Sequence, residues 1–423
     1  MNVDVLVVGA GPAGLSAAVE LRRLGAGTVL VADREAAAGG VPRHSWHTGY
    51  GLRDLRRVMT GPAYARALVD AAVSAGASLR LGTTASCLRG GPSAVLTSSA
   101  GIETVQARAV LLATGCRERP RAARLVPGDR PAGVMTTGEL QQRVYLEGQR
   151  LTGRAVVVGA EHVSFSAAVT LAHAGARVAA LVTEFGRQQS YAAFRVGAAV
   201  RWRVPVWTGC TVSRIVGHGE LSGVEVTSAV SGLVRFVPCS TVVFTGDWIP
   251  DYELARGAGL EMDAGTRGPV VDTALETSAA GVFAAGNLVH AAETADIAAL
   301  SGRHAARHIA AALGGGVPGT VVDMAARAAR TAWAARVTVR VEAPLRWISP
   351  NAVGSVAPPP LGRFVLRSGE FRRLARLEVR QDGRLLGLSR PVRLIPGRPA
   401  HLDAAWLARV DPDGGPVRVA THP

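Results

Sequence analysis

The 423-residue sequence predicts an α/β chain with two βαβ units and a β-rich C-terminal segment. Three observations carry this. An apolar run ends in a glycine-rich turn at residues 3–14, and a second apolar run leads into a turn at 154–164. After Val337 the pattern changes to alternating strands, with a triple proline at 358–360 and the hairpin signal Asp382-Gly383.

Residues 3–8 (VDVLVV) read as a strand buried on both faces of a parallel sheet. Gly9-Ala-Gly11-Pro-Ala-Gly14 then opens an alanine-rich helix to about residue 24, and a second strand follows at 28–32. A loop rich in glycine, histidine and arginine occupies 40–60, before a helix at 63–75. Short strands and turns fill 78–112 and end in the buried run 109–113. The second unit runs from a strand at Arg154 through a helix at 164–174 to the strand RVAALV. Further strands reach 241–245, the chain returns to GVFAAGN at 281–287, and a long helix is expected at 297–313. A last helix follows the glycine-rich stretch 314–319.

The formal charge is +15, and because lysine is absent all 47 basic residues are arginine. They are spread singly or in pairs with few aromatics between them, so the charge reads as arginine-for-lysine composition and nucleic acid is not an expected partner. Aromatic content of 5% with 50 glycines fits close helix–sheet packing and excludes disorder and collagen. Cys87, Cys116, Cys210 and Cys239 lie far apart without any C-x-x-C, which argues against disulfides, zinc, iron–sulfur clusters and a redox dithiol. Cys116 reads as a buried structural residue. A cytoplasmic location is expected, with no cationic leader and no membrane span.

The glycines of Gly9-x-Gly11-x-x-Gly14 have separate physical roles. The first makes the tight turn, the second admits a pyrophosphate, and the third lets helix pack on strand. The diphosphate would rest on free N–H groups at the positive end of the helix dipole. Asp33, 24 residues beyond Gly9, ends the second strand where a carboxylate would bind an adenosine ribose. In the second unit the corresponding run is Gly159-Ala-Glu161-His-Val-Ser164. A glutamate replaces the middle glycine, obstructing and repelling a diphosphate. The alternative is that Glu161 swings away and Glu184 holds a nicotinamide ribose.

With Leu111-Leu-Ala-Thr-Gly115 and Gly281-Val-Phe-Ala-Ala-Gly-Asn287, the sequence resembles the FAD-dependent pyridine-nucleotide oxidoreductase superfamily over residues 1–313. The resemblance implies two Rossmann-like dinucleotide-binding domains, an FAD domain with an inserted NAD-type domain, plus a small C-terminal β domain. The expected divisions are 1–120 with 252–320 for FAD, 121–251 for the NAD(P)-type domain, and 333–423 for the β domain. It further implies FAD contacts at Gly9, Gly11, Pro12, Ala13, Gly14, Asp33, Arg34, Gly40, Arg43, Ala85, Thr114, Gly115, Gly286 and Asn287. Asn287 stands where the family has aspartate, implying altered flavin electrostatics, and NAD(P) is not expected to bind.

The loop Gly39-Gly40-Val-Pro-Arg43-His44-Ser-Trp46-His47 leaves His44 and His47 as weak acid–base candidates, against a loop-shaping role. His304 and His308, at i,i+4 spacing, read as surface residues, and no metal site is implied. Segments 38–65, 113–141 and 245–254 look like the α-type flavoprotein subunits of the hydrogen cyanide synthase, opine oxidase and dye-linked proline dehydrogenase group. That resemblance implies an electron-transferring subunit of a heteromeric amine or amino-acid dehydrogenase. Its partners would be a second flavoprotein and a small 2Fe–2S protein. The alternatives are a stand-alone NAD(P)H-dependent FAD oxidoreductase and a structural subunit whose FAD only stabilises assembly.

Overall fold

A computed structural model describes residues 1–191, 204–291, 293–314 and 335–422. The helix expected after 314–319 lies outside the described residues. The described α-helices are α1 (Pro12–Arg23), α2 (Gly61–Ser74), α3 (Thr137–Tyr145), α4 (His162–Ala174), α5 (Glu253–Gly257) and α6 (Ala295–Ala312). Among the described residues no helix is long and apolar enough to cross a membrane. The chain divides into two compact units: unit 1 is Met1–Arg43, Gly49–Cys116 and Pro250–Pro423, and unit 2 is His44–Thr48 and Arg117–Ile249.

Unit 1 is organised by a parallel sheet. Asn2–Val8 lies between Val29–Ala32 and Gly101–Leu112, with Ser78–Arg80 and Val282–Ala284 as the outer parallel strands. Val5, Leu6, Val7, Leu111 and Leu112 are fully buried, as the unbroken apolar runs require. Ser93–Ser98 and Thr84–Leu88 extend the sheet antiparallel. Helix α6 packs closely on α1 because Gly302 carries no side chain; a Cβ there would lie 2.0 Å from the Ala13 carbonyl oxygen. Arg307 adds an ion pair to Glu20 at 2.8 Å.

The same packing overturns the surface reading of two histidines. His308 is buried, and the His304 Nε2 lies 2.8 Å from the Thr273 carbonyl oxygen. Burial pushes the His304 imidazole down to about 3 and His308 to about 4. The β-rich C-terminal part of unit 1 has its own core around Phe364, Leu377, Val379, Trp406, Val417 and Val419. Phe364 packs on Trp406 with ring centroids 4.9 Å apart.

Unit 2 has a five-stranded parallel sheet in the order Val134–Thr136, Thr241–Phe244, Arg154–Val158, Arg177–Thr183, Val206–Thr208. An antiparallel sheet of Cys210–His218, Glu220–Ser228 and Val234–Pro238 accompanies it. Each unit therefore repeats the strand–glycine turn–helix start read from the sequence.

Candidate functional site

In unit 1 the glycine turn is fixed by backbone packing. Gly9 has φ +109°, and a Cβ there would lie 2.4 Å from the Ala113 carbonyl oxygen; one at Gly14 would lie 1.9 Å from the Gly9 carbonyl oxygen. Gly11 is the opposite case, since a Cβ there would meet nothing within 4 Å. It is the N-cap of α1 and makes no side-chain cap bond, so no cap side chain takes up the first-turn N–H groups. Pro12 begins the helix, where its missing N–H costs nothing. Both Ala13 and Gly14 are buried, Ala13 against Gly302 of α6 and Gly14 against Gly9 and Val7.

Asp33 follows the second strand beside this turn. Its Oδ2 accepts from the Ala10 N–H at 2.5 Å and its Oδ1 from the Glu35 N–H at 2.8 Å. Gly39 donates its N–H to the Ala10 carbonyl oxygen at 2.8 Å, and Gly40, at φ +61°, comes so close that its Cβ would be 3.0 Å from the Gly11 Cα. Arg43 donates to the Ala37 carbonyl oxygen at 2.5 Å and folds over its own loop. Arg34 pairs with Asp251 at 3.0 Å, an exposed contact worth little. Thr114 donates to the Asp251 carbonyl oxygen at 2.8 Å, while the Asp251 N–H donates to the Gly115 carbonyl oxygen at 2.9 Å. Ala85 lies in the strand Thr84–Leu88 opposite Leu96; two residues before it, the Thr83 N–H donates to the Asp33 carbonyl oxygen at 2.8 Å.

At the other end of the turn, Gly286 has φ +69° and its N–H donates to Ser301 Oγ at 3.1 Å. Asn287 is committed to its own loop: Oδ1 accepts from the Glu293 N–H at 2.8 Å and Nδ2 donates to the Glu293 carbonyl oxygen at 3.2 Å. An aspartate cannot make that second bond, which gives the amide a structural reason here. The open space over Gly11, the uncapped helix amides and the adjacent Asp33 carboxylate together fit an anionic dinucleotide.

Residues with no signature in the sequence surround this loop. Glu293 is paired with Arg367 at 3.1 Å, both buried, and the Arg367 guanidinium lies 5.2 Å from the Trp347 ring centroid. His290 packs on the same Trp347, and burial, reinforced by the Arg367 charge, pushes its imidazole down to about 3. Only the pairing of an acid at 293 with a cation 74 residues later reveals the site, and no local pattern encodes it.

The histidines of the long loop belong to unit 2. His44 is buried, while His47 is exposed with Nδ1 2.9 Å from the Thr48 carbonyl oxygen. Between them Trp46 stacks on Tyr145 at 5.5 Å, and the Tyr145 hydroxyl lies 2.8 Å from His173 Nδ1. Cys116, expected buried, is half-buried at the start of the short strand Cys116–Glu118.

The second glycine turn differs in what covers it. Gly159 has φ +140°; a Cβ there would lie 2.0 Å from Thr245 Oγ1, 2.6 Å from Ser164 Oγ and 2.7 Å from Glu161 Oε2. A Cβ at Gly246 would lie 2.8 Å from Glu161 Oε1. The Glu161 carboxylate is thus folded back between the two glycines, with Oε1 buried and without a hydrogen-bond partner among the described residues. Ser164 Oγ lies 2.6 Å from Thr245 Oγ1, which donates to the Val158 carbonyl oxygen at 3.0 Å. Glu184, at the end of the neighbouring strand, is exposed.

A second carboxylate lies in the same environment. Glu118 Oε2 accepts from the Gly138 N–H at 2.7 Å. Burial, with the Glu161 charge adding to it, pushes the Glu118 carboxyl up to about 7. Arg124 donates to the Thr245 and Gly246 carbonyl oxygens at 2.9 and 2.7 Å, fixing the far wall of the loop.

The family described as pyridine nucleotide-disulphide oxidoreductase matches residues 3–302. The chain is 30% identical over 335 residues to the A-type subunit of opine oxidase from Rhizobium meliloti (strain 1021), covering 74% of this chain and 71% of that one. It is 29% identical over 287 residues to the HcnB subunit of hydrogen cyanide synthase from Pseudomonas aeruginosa, covering 62% of this chain and 60% of that one. In fold it is similar to Lactococcus lactis thioredoxin reductase, with a TM-score of 0.62 at 16% identity, covering 74% of this chain and 99% of that one. The chain therefore belongs to the pyridine nucleotide-disulphide oxidoreductase family and is an FAD-dependent oxidoreductase.

Proposed function

We propose that this chain is the electron-transferring FAD subunit of a heteromeric enzyme that oxidises an amine, amino acid or opine-like substrate. One observation carries the reading: the Glu161 carboxylate lies against Gly159 and Gly246, where a nicotinamide donor would place its diphosphate. A flavin that nicotinamide cannot reach takes its electrons from another partner. The two relatives named as subunits support that partner being part of the same enzyme. A second flavoprotein and a small 2Fe–2S protein are the partners proposed. The four cysteines offer no C-x-x-C for disulfide reduction, which suits a cytoplasmic setting.

FAD, when bound, supplies hydride and electron acceptance. The chain's own residues do the holding. The first-turn amides of α1 take up the diphosphate charge. Asp33, oriented by the Ala10 and Glu35 N–H groups, offers its remaining lone pairs to ribose hydroxyls. Thr114, Gly115, Gly286 and Asn287 shape the cofactor's other side through their ties to Asp251, Ser301 and Glu293. We read 1–120 with 252–320 as the FAD domain, 121–251 as the inserted domain and 333–423 as the β domain. His44 and His47 are its acid–base candidates.

The test is an anaerobic titration of the FAD-loaded chain with NADH and NADPH. The flavin absorbance is expected to persist at millimolar reductant. Rapid bleaching would replace this reading with the stand-alone NAD(P)H-dependent oxidoreductase. That second reading draws on the intact strand–helix–strand of Arg154–Val158, α4 and Arg177–Thr183.

A further inference from the structure

We propose that unit 1 carries a second ligand site, for an organic anion with a carboxylate head and an aliphatic body, in the cleft beside the start of α6. The cleft is open to solvent and has a volume of about 550 Å3, within the range of small-molecule sites. Its walls come from three parts of unit 1: the segment after Gly51, the first turns of α6, and the entry to the strand Arg363–Ser368.

Three arginines, Arg53, Arg56 and Arg363, line it, and no acidic residue does. Arg53 is held by Asp296 at 3.1 Å, which offsets its charge and fixes its position. Neither of the other two is held in such an ion pair among the described residues. Arg56 is exposed, and its side chain makes no hydrogen bond or ion pair among them. Arg363 Nε is buried and meets no acceptor. A buried guanidinium N–H without an acceptor is costly, and the planar fork of two such groups suits a carboxylate.

The remaining walls are apolar and turned towards open space. Leu52 is 53% exposed and Leu361 is 50% exposed, while Ile297 and Leu300 supply the helix side. Exposed leucines facing unpaired cations describe a ligand with one anionic end and one apolar end. Arg56 and Leu361 also have φ of 56° and 58°, in the left-handed region that side chains of their size rarely enter. They are two of seven such non-glycine residues among the described residues, and both line this cleft.

The site does not rest on the heteromeric reading, because it concerns unit 1 and none of the residues that close the nicotinamide loop. The experiment uses the full-length, FAD-loaded protein and isothermal titration with octanoate, with octylamine, octan-1-ol and inorganic phosphate as comparison probes. Octanoate is expected to bind at one site with Kd below about 1 mM. Octylamine and octanol should bind at least about tenfold more weakly. Arg56→Gln and Arg363→Gln should each weaken octanoate by about tenfold or more, with flavin content unchanged. If Arg363→Gln does not fold, Arg56→Gln carries the test, since that side chain is exposed and unbonded. Equal binding of octanoate and octylamine, phosphate binding as tightly as octanoate, no octanoate binding at millimolar concentration, or an unchanged Kd in Arg56→Gln would each overturn the proposal.

Discussion

Replacing Glu161 by glycine isolates the one side chain held responsible for closing the second dinucleotide loop. Its oxygens would sit 2.7 Å from a Cβ on Gly159 and 2.8 Å from one on Gly246, so a diphosphate laid on that loop must approach the carboxylate closely. Two unit charges about 4 Å apart repel by roughly 4 kcal/mol at an effective dielectric of about 20. Solvent and salt at the open side reduce this to roughly 2 kcal/mol, or about 30-fold in affinity. Glu161→Gln keeps the shape and removes the charge, so it is expected to gain that factor alone. Glu161→Gly also removes the obstruction and should gain more. The fold tolerates the change, because Glu161 is the N-cap of α4 without a side-chain cap bond and glycine is accepted at that position. Anaerobic stopped-flow reduction by NADPH is the assay, and flavin bleaching should accelerate in the order wild type, Gln, Gly. Wild-type bleaching that the glycine variant does not exceed, or an NADPH Kd unchanged in both variants, refutes the reasoning. As an internal check, Glu118 should titrate at lower pH in both variants, since the Glu161 charge is among the causes that raise it.

Glu118 itself makes stability depend on pH. Its carboxyl is raised from 4.5 to about 7, so its contribution is present below about 4.5 and is lost as pH rises through about 7. That loss is on the order of 3 kcal/mol, and Glu118→Gln, which keeps an acceptor for the Gly138 N–H, should abolish it. Urea unfolding of the two proteins at matched pH should show the difference, and a pH-independent difference would contradict it. His304 acts in the opposite sense: lowered from 6.5 to about 3, it contributes stability above about 6.5 that is lost as pH falls through about 3. His304→Leu should therefore shift the acid unfolding midpoint downward, and a midpoint that does not move would count against burial as the cause. Asn287→Asp removes the donor to the Glu293 carbonyl and should cost about 1–3 kcal/mol with partial loss of bound flavin, read by thermal melts and the flavin-to-protein ratio. Gly302→Ala forces α6 away from α1 and should cost about 2 kcal/mol or more, and a melt matching wild type would show that the helices can part freely.

Much of the first site is legible in residues 9–14 and 33, because the constraint there is local. A backbone carbonyl 1.9 Å from where a Gly14 Cβ would lie is a consequence of the turn itself, and any chain with that turn shows it as glycine. The histidines of α6 mislead a sequence reading because their surroundings come from elsewhere. Spacing places His304 and His308 on one face, but it cannot say that Thr273, 31 residues away, closes over that face. Asn287 shows an intermediate case. Its position is legible from GVFAAGN, yet its role depends on Glu293 turning back to offer both an N–H and a carbonyl. Arg34 likewise stands beside the ribose acid in sequence while its partner, Asp251, arrives from 217 residues later. The Arg367–Glu293 pair has no local signal at all, because a buried ion pair is defined by burial, and burial here is supplied by the β-rich C-terminal part.

The two glycine turns are nearly the same piece of backbone in different surroundings. Both begin on a buried parallel strand, both hold their first glycine at positive φ, and both are followed by a helix of 12 or 13 residues. They differ in the space above the second position. Over Gly11 nothing lies within 4 Å of a hypothetical Cβ, so the dipole and N–H groups of α1 have an opening for a phosphate. In the second turn that position is Glu161, whose carboxylate is folded in against Gly159 and Gly246. There the chain supplies its own anion, with one oxygen lacking any hydrogen-bond partner among the described residues and with a neighbouring carboxyl raised to about 7. A half-buried carboxylate with one buried, unpartnered oxygen is a more expensive way to fill a gap than alanine. On the proposed reading the carboxylate serves to exclude a second anion rather than to pack, and the Gln and Gly variants separate the two.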